Sequence, residues 1–114
     1  MSLEHDLLEI EKTFWTGGAE AYRQHVDDTC LVVFAEMAKS MPKEEIAGSV
    51  EDGRWKDVSM TPKGLAQLTP ESAVVSYDCT AKRKDGEPYH ALVSSGYVKR
   101  DDGWKLAFHQ QTPV

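Results

Sequence analysis

The stretch from Ala73 to Thr112 constrains the fold more than any other part of the chain. Three extended runs are separated by Lys84-Asp85-Gly86-Glu87 and Arg100-Asp101-Asp102-Gly103-Trp104. Asp-Gly between such runs signals a β-hairpin, because both central residues of a type I′ turn need positive φ. The second turn suits a type I turn ending in a glycine bulge. With two residues in the first loop and three in the second, the period-two alternation of strands assigns every side chain to a face. One face then collects Ala73, Val75, Tyr77, Cys79 and Ala81, next His90, Leu92, Ser94, Gly96 and Val98, and finally Trp104, Leu106, Phe108 and Gln110. That face is largely apolar, with polar groups toward one end, and needs a covering layer.

The cover comes from the first half of the chain. Leu3, Leu7, Ile10 and Phe14 recur at helical spacing, widened by Leu8 and Trp15. Ser2 can cap this helix, Glu4 and Asp6 suit its positive end, and Gly17-Gly18 stops it. Ala19 to His25 reads as a second helix, with Tyr22 and Val26 one turn apart, and Asp27-Asp28-Thr29 as a turn. Cys30 to Ala35 is a continuous apolar run, the pattern of a strand buried on both sides. Ser40, Pro42 and Glu44-Glu45 open a third short helix whose Ile46 and Val50 face inward. Trp55 to Thr61 and Gly64 to Thr69 read as two strands interrupted by Pro62. Helices first and strands after predict an α+β domain, with helices packed over the concave face of a curved antiparallel sheet.

A chain of 114 residues fits one domain, 1–114, with a single core. The 13 basic and 19 acidic side chains give a net charge of −6. Lys82-Arg83-Lys84 is the one basic cluster, beside a turn, so nucleic acid is excluded as a partner on electrostatic grounds. No apolar run approaches the ~18 residues of a membrane span, and the polar start Met-Ser-Leu-Glu-His-Asp is unlike a secretory signal. Cys30 and Cys79 fall in strands without metal-ligand or redox spacing. The expectation is a cytoplasmic protein with reduced thiols, no metal and no cofactor.

Several residue groups together resemble the nuclear transport factor 2-like (NTF2-like) superfamily, which includes the SnoaL-like and ketosteroid isomerase-like proteins. They are Leu7-x-x-Ile10-Glu11-x-x-Phe14-Trp15, Ala21-Tyr22, Leu31-Val32-Val33-Phe34, Trp55, Ala73-Val74-Val75-x-Tyr77, Ser94-Ser95-x-Tyr97-Val98, and the ending Gly103 to Pro113. More narrowly, the chain looks like the DUF4440 group. The resemblance implies a cone-like, cystatin-like α+β fold with three N-terminal helices, a pocket between helices and sheet, and dimers formed through sheet surfaces.

On that basis the candidate ligand-binding residues are Trp15, Tyr22, Tyr77, His90, Ser94, Phe108 and Gln110. An aromatic lining with a few polar groups suits a small organic ligand of unspecified identity. The other sheet face carries Val93, Ser95, Tyr97, His109 and Gln111, a composition suited to a homodimer interface. An isomerase or lyase on this fold needs a carboxylate inside the pocket. Asp78 falls on the outer face, and Asp57 and Glu36 are the remaining candidates. Three functions stay open: a homodimeric small-molecule binder, an acid–base isomerase or lyase, and an oligomerising interaction module.

Overall fold

The computed structural model describes residues 2–114. Helix α1 spans Leu3–Thr16, as the apolar stripe requires. The Ser2 side chain accepts from His5 N at 3.1 Å, and Gly17 closes the last turn by donating to Thr13 O at 2.8 Å. A side chain at Gly17 would place Cβ 2.7 Å from that carbonyl, so glycine is needed for the close approach. The stripe buries Leu7, Phe14 and Trp15, worth about 1.5–3 kcal/mol per large side chain. Helix α2 follows at Ala19–His25, and α3 is a short turn of helix at Lys43–Gly48.

Six strands form one sheet: β1 Val26–Phe34, β2 Met37–Pro42, β3 Trp55–Thr69, β4 Ser72–Arg83, β5 Pro88–Arg100 and β6 Gly103–Pro113. Their order is β2-β1-β6-β5-β4-β3. The last four form an antiparallel meander, while β1 joins β6 in parallel, so the sheet is mixed rather than purely antiparallel. It is curved and unclosed. Helix α1 crosses β3 and β4, α2 lies against α3 and β6, and α3 rests on β1 and β2.

Several local expectations are corrected here. Asp27-Asp28-Thr29 is not a turn but the start of β1, where the pairing with β6 is irregular between Val26 and Leu31. The apolar run of β1 is covered on one face only: Cys30 and Val32 are buried, whereas Leu31 is 44% exposed. Met37–Pro42 is a strand, paired with β1 from Phe34↔Met37 to Thr29↔Pro42. Pro62 does not break β3, because β3 is the sheet edge and the register shifts between Pro62 and Gly64. Proline is tolerated at such bulged edges, where its missing N–H leaves no ladder bond unmade.

The larger correction concerns phase. Arg83 N donates to Glu87 O and Gly86 N to Arg83 O, both at 2.8 Å, with Gly86 at φ +93°. The first loop therefore holds three residues, Lys84 to Gly86, not two. The second holds two, Asp101 and Asp102, between the paired Arg100 and Gly103. A one-residue change of phase turns every side chain of a strand to the other face. Hence Ala91, Val93, Ser95 and Tyr97 are buried with Ala73 to Ala81, and His90, Leu92, Ser94, Gly96 and Val98 lie outside.

Strand β6 returns Trp104 and Leu106 to the inside. Pairing then moves from Tyr97↔Leu106 to Gly96↔Phe108, leaving Ala107 as the extra residue of a bulge. Beyond it the phase flips again: Phe108 and Gln110 face out, His109 and Gln111 face in. Gly96 permits this, since a Cβ there would stand 3.2 Å from Phe108 Cβ.

Candidate functional site

Among the described residues the one fully buried acidic or basic side chain is Glu11, in the apolar stripe of α1 on the concave side. Its Oε1 accepts from the Tyr77 hydroxyl at 2.6 Å and from Ser95 Oγ at 2.8 Å, and its Oε2 from the Tyr97 hydroxyl. Trp15 Nε1 donates to the Tyr77 oxygen at 2.9 Å. A buried carboxylate is tolerable only when its lone pairs are engaged, and three hydroxyls do this. Burial, reinforced by the Glu11 charge, raises the Tyr77 and Tyr97 hydroxyls far above the ordinary phenol range, which keeps both as O–H donors.

The network continues to His109, whose Nδ1 lies 2.9 Å from Ser95 Oγ and 3.9 Å from Glu11 Oε1. Ser95 has one hydrogen and gives it to Glu11, so Nδ1–H of His109 donates to Ser95. On the other side of the ring, Nε2 lies 3.0 Å from Gln111 Oε1, and Gln111 Nε2 donates to the Tyr89 hydroxyl at 2.8 Å. This orientation sets Nε2 against an acceptor oxygen. A half-turn of the Gln111 amide would instead offer an N–H to the neutral ring.

His109 and Gln111 also line a cavity of about 360 Å³ between α3, α2 and the concave surface of β1, β2 and β6. Its walls are mainly apolar: Phe14, Val32, Phe34, Met37, Met41, Ile46, Val50 and Leu106, with the Cys30 thiol. Polar groups enter from Tyr22, Ser49, Arg54, His109 and Gln111. A recess of about 30 Å³, one water's share, is lined by Phe14, Trp15, Tyr22, Arg54, Trp55, His109 and Gln111. Six of these residues also line the larger cavity, so Arg54, His109 and Gln111 gather at one end of a hollow that is otherwise hydrocarbon.

Arg54 follows Gly53, whose φ is +70°, at the entry to β3. One terminal nitrogen donates to the Tyr22 hydroxyl at 2.5 Å and to Phe14 O at 3.3 Å. Its Nε is buried without an acceptor, and no carboxylate pairs with it among the described residues. Burial raises the Tyr22 hydroxyl above its usual range, with the Arg54 charge acting the other way.

Of the residues expected to line the pocket, Trp15, Tyr22 and Tyr77 stand on the concave side. His90, Ser94, Phe108 and Gln110 stand on the convex side, for the reasons of phase given above. His90 pairs there with Asp78 at 2.8 Å, and Ser94 with Ser76 at 2.7 Å. The five residues expected at an outer interface, Val93, Ser95, Tyr97, His109 and Gln111, face inward; the first three are core. Asp57 and Glu36 are exposed, Asp57 lying 3.7 Å from Lys82 Nζ. The interior carboxylate is Glu11, and the sequence carried its signal: an acid at helical spacing inside an apolar stripe. Arg54 carried no such signal. Among the described residues no acid, cysteine and histidine cluster could hold a metal ion, and no helix is long and apolar enough to cross a membrane.

Comparison with solved structures identifies the architecture. An NTF2-like protein from Cytophaga hutchinsonii matches at a TM-score of 0.74 and 15% identity, over 100% of both chains. The fold is NTF2-like. A putative ketosteroid isomerase from Parabacteroides distasonis matches at 0.79 and 14% identity, over 99% of this chain and 89% of that one. An NTF2-like protein of unknown function in nutrient uptake from Rhodospirillum rubrum matches at 0.79 and 13%, over 100% and 99%. No family model matches the chain. No curated protein matches it either. The NTF2-like likeness is thus one of fold, and the narrower DUF4440 likeness stands on the sequence motifs alone.

Proposed function

We propose that this protein binds a small organic molecule in the cavity between α3 and the concave sheet. The observation that carries the reading is the gathering of Arg54, His109 and Gln111 at one end of a hollow whose other walls are apolar. A cavity of about 360 Å³ lies within the range of ligand sites, where a few polar groups fix orientation and hydrocarbon supplies affinity. Its volume equals roughly a dozen waters, which limits the occupant to about that number of non-hydrogen atoms. Screening small amphiphiles by thermal shift tests the reading. A ligand at about 100 times its Kd stabilises by about 2.7 kcal/mol, and a panel that leaves the melting temperature unmoved counts against it.

A second reading makes the cavity catalytic, with His109 exchanging a proton with the bound molecule. The relay from His109 through Ser95 to Glu11 favours it, because the hydrogen-bonded chain behind the ring fixes the orientation of the imidazole. Two structural neighbours are described as a putative ketosteroid isomerase and a ketosteroid isomerase-like protein, which makes this reading worth testing. Deuterium exchange beside the carbonyl of a bound ketone, followed by NMR, tests this; exchange that persists in His109→Gln removes His109 from the role.

The same proposal includes a homodimer joined through the convex sheet face. Register aligns Val74, Gly96, Phe108 and Leu31 across four adjacent strands on that face, with exposed Leu92 nearby on β5. An apolar row of this kind on an otherwise polar surface favours association. The protein works in the cytoplasm on this reading, consistent with its two free cysteines.

A further inference from the structure

We infer that the occupant of the cavity is an anion, a small carboxylic acid whose carboxylate sits at the recess against Arg54 while its apolar body fills the larger hollow. The inference rests on the small-molecule reading above and names the ligand class for that site. Arg54 is partly buried, lines the mostly hydrocarbon cavity and has no carboxylate partner among the described residues, so an anion entering the cavity would meet an unpaired cation. The Nε N–H of Arg54 is buried without an acceptor, so a carboxylate would reach it only after a small shift of the side chain; guanidinium forks are suited to paired bonds with carboxylates. Glu11 is not a direct partner of Arg54: both its oxygens accept from hydroxyls, and it does not line the cavity.

The rest of the recess agrees. Gln111 adds a donor beside Arg54, since its amide keeps a second N–H beyond the one given to Tyr89. Tyr22 and Phe14 O hold one end of the guanidinium in place, so the cation is positioned before the ligand arrives. The recess, at about 30 Å³, has room for one oxygen of the head group, and its narrowness keeps the rest of the ligand in the larger hollow. Apolar walls from Phe34, Met37, Met41 and Ile46 then select an acid with an aryl or medium-length alkyl tail over a sugar acid or a dicarboxylate.

Matched pairs of nearly equal shape test this: 4-phenylbutyrate against 4-phenylbutyramide, and octanoate against octanamide, measured by titration calorimetry on the intact protein. The expected result is that the acid of a pair binds at least about tenfold more tightly than its amide. In Arg54→Gln the acid should fall to the affinity of the amide, while amide binding is kept. Equal binding of acid and amide by the unaltered protein would overturn the anion assignment and leave the small-molecule reading standing. Absence of binding by all four would overturn both. Should Arg54→Gln fail to fold, the acid-to-amide ratio of the unaltered protein still decides, together with the Arg54 Nε–H resonance. That resonance should move on adding the acid and stay in place with the amide; an unmoved signal with bound acid overturns the contact.

Discussion

Glu11 and Tyr77 meet through a hydrogen bond of 2.6 Å that joins the first helix to the middle of the sheet, 66 residues apart in sequence. With Ser95 and Tyr97 on the neighbouring strand, the carboxylate gathers three hydroxyl donors in a region otherwise filled by Leu7, Trp15 and Val93. Removing it strands all three. Each orphaned buried group costs about 1–3 kcal/mol, so Glu11→Leu should lose about 4 kcal/mol or more by urea denaturation. Glu11→Gln, which keeps one acceptor oxygen, should lose roughly half as much. A loss below about 1 kcal/mol in Glu11→Leu would mean that helix and sheet are held by hydrocarbon packing alone.

The contrast between what the sequence disclosed and what it hid is one of phase. The strands, α1 and the inward direction of Tyr77, Trp104 and Leu106 follow from alternation and helical spacing. The length of the Lys84–Gly86 loop does not, because Asp-Gly serves both a two-residue type I′ loop and a three-residue loop with glycine at positive φ. That ambiguity inverted β5, and the Ala107 bulge then inverted the end of β6. His109 and Gln111 were thereby assigned to the wrong side of the sheet. Arg54 was invisible for another reason: its role depends on what folding places around it, and its neighbours Gly53 and Trp55 do not reveal this.

The same ambiguity can be turned into an experiment. Deleting Lys84 would leave Asp85-Gly86 between the paired Arg83 and Glu87, the preferred composition of a two-residue hairpin, without altering the phase of β5. Stability should change by less than about 1 kcal/mol, since shortening a loop by one residue changes its closure entropy little. Amide cross-peaks across Tyr77 and Val93 should survive. Loss of those contacts would show that the three-residue loop itself sets the register.

Alkaline pH should weaken the fold over a defined range. Burial is the main cause that pushes the Cys30 and Cys79 thiols up to about 12, and it also raises the Tyr77 and Tyr97 hydroxyls. These groups hold protons in the folded chain that the unfolded chain releases from about pH 9 upward. The contribution of the thiols is therefore complete below about pH 9 and is lost as pH rises toward 12, while that of the hydroxyls begins to be lost only above about pH 10, at about 1.4 kcal/mol per group for each pH unit above the unfolded value. Denaturation midpoints measured from pH 7 to 11 should fall on that limb. Native thiols should also react with iodoacetamide at pH 8 about a thousandfold more slowly than in denaturant. Rapid native alkylation would show that the cavity stabilises the Cys30 thiolate.

The convex surface makes a separable prediction. Leu31 and Phe108 are register partners and Leu92 is 44% exposed, so Leu31→Glu combined with Leu92→Glu charges the face without entering the core. Sedimentation should show a dimer converted to a monomer, with the thermal transition of the monomer unaltered in shape. A monomeric unaltered protein would refute association through this face.

Filling the hollow is the cleanest way to separate binding from stability. Ile46 is buried on α3 and lines the cavity opposite the sheet. Phenylalanine at this position adds volume where the walls leave about 360 Å³ open, so Ile46→Phe avoids the usual cost of overpacking a close-packed core. Stability should hold or rise by about 0.5–2 kcal/mol, as cavity-filling substitutions commonly give. Ligand affinity should drop by about tenfold or more, because the apolar body of the ligand loses the space the ring takes. A variant that binds as tightly as the parent would place the ligand elsewhere. One that is strongly destabilised would mean that α3 already packs tightly on the sheet, with no usable room between them.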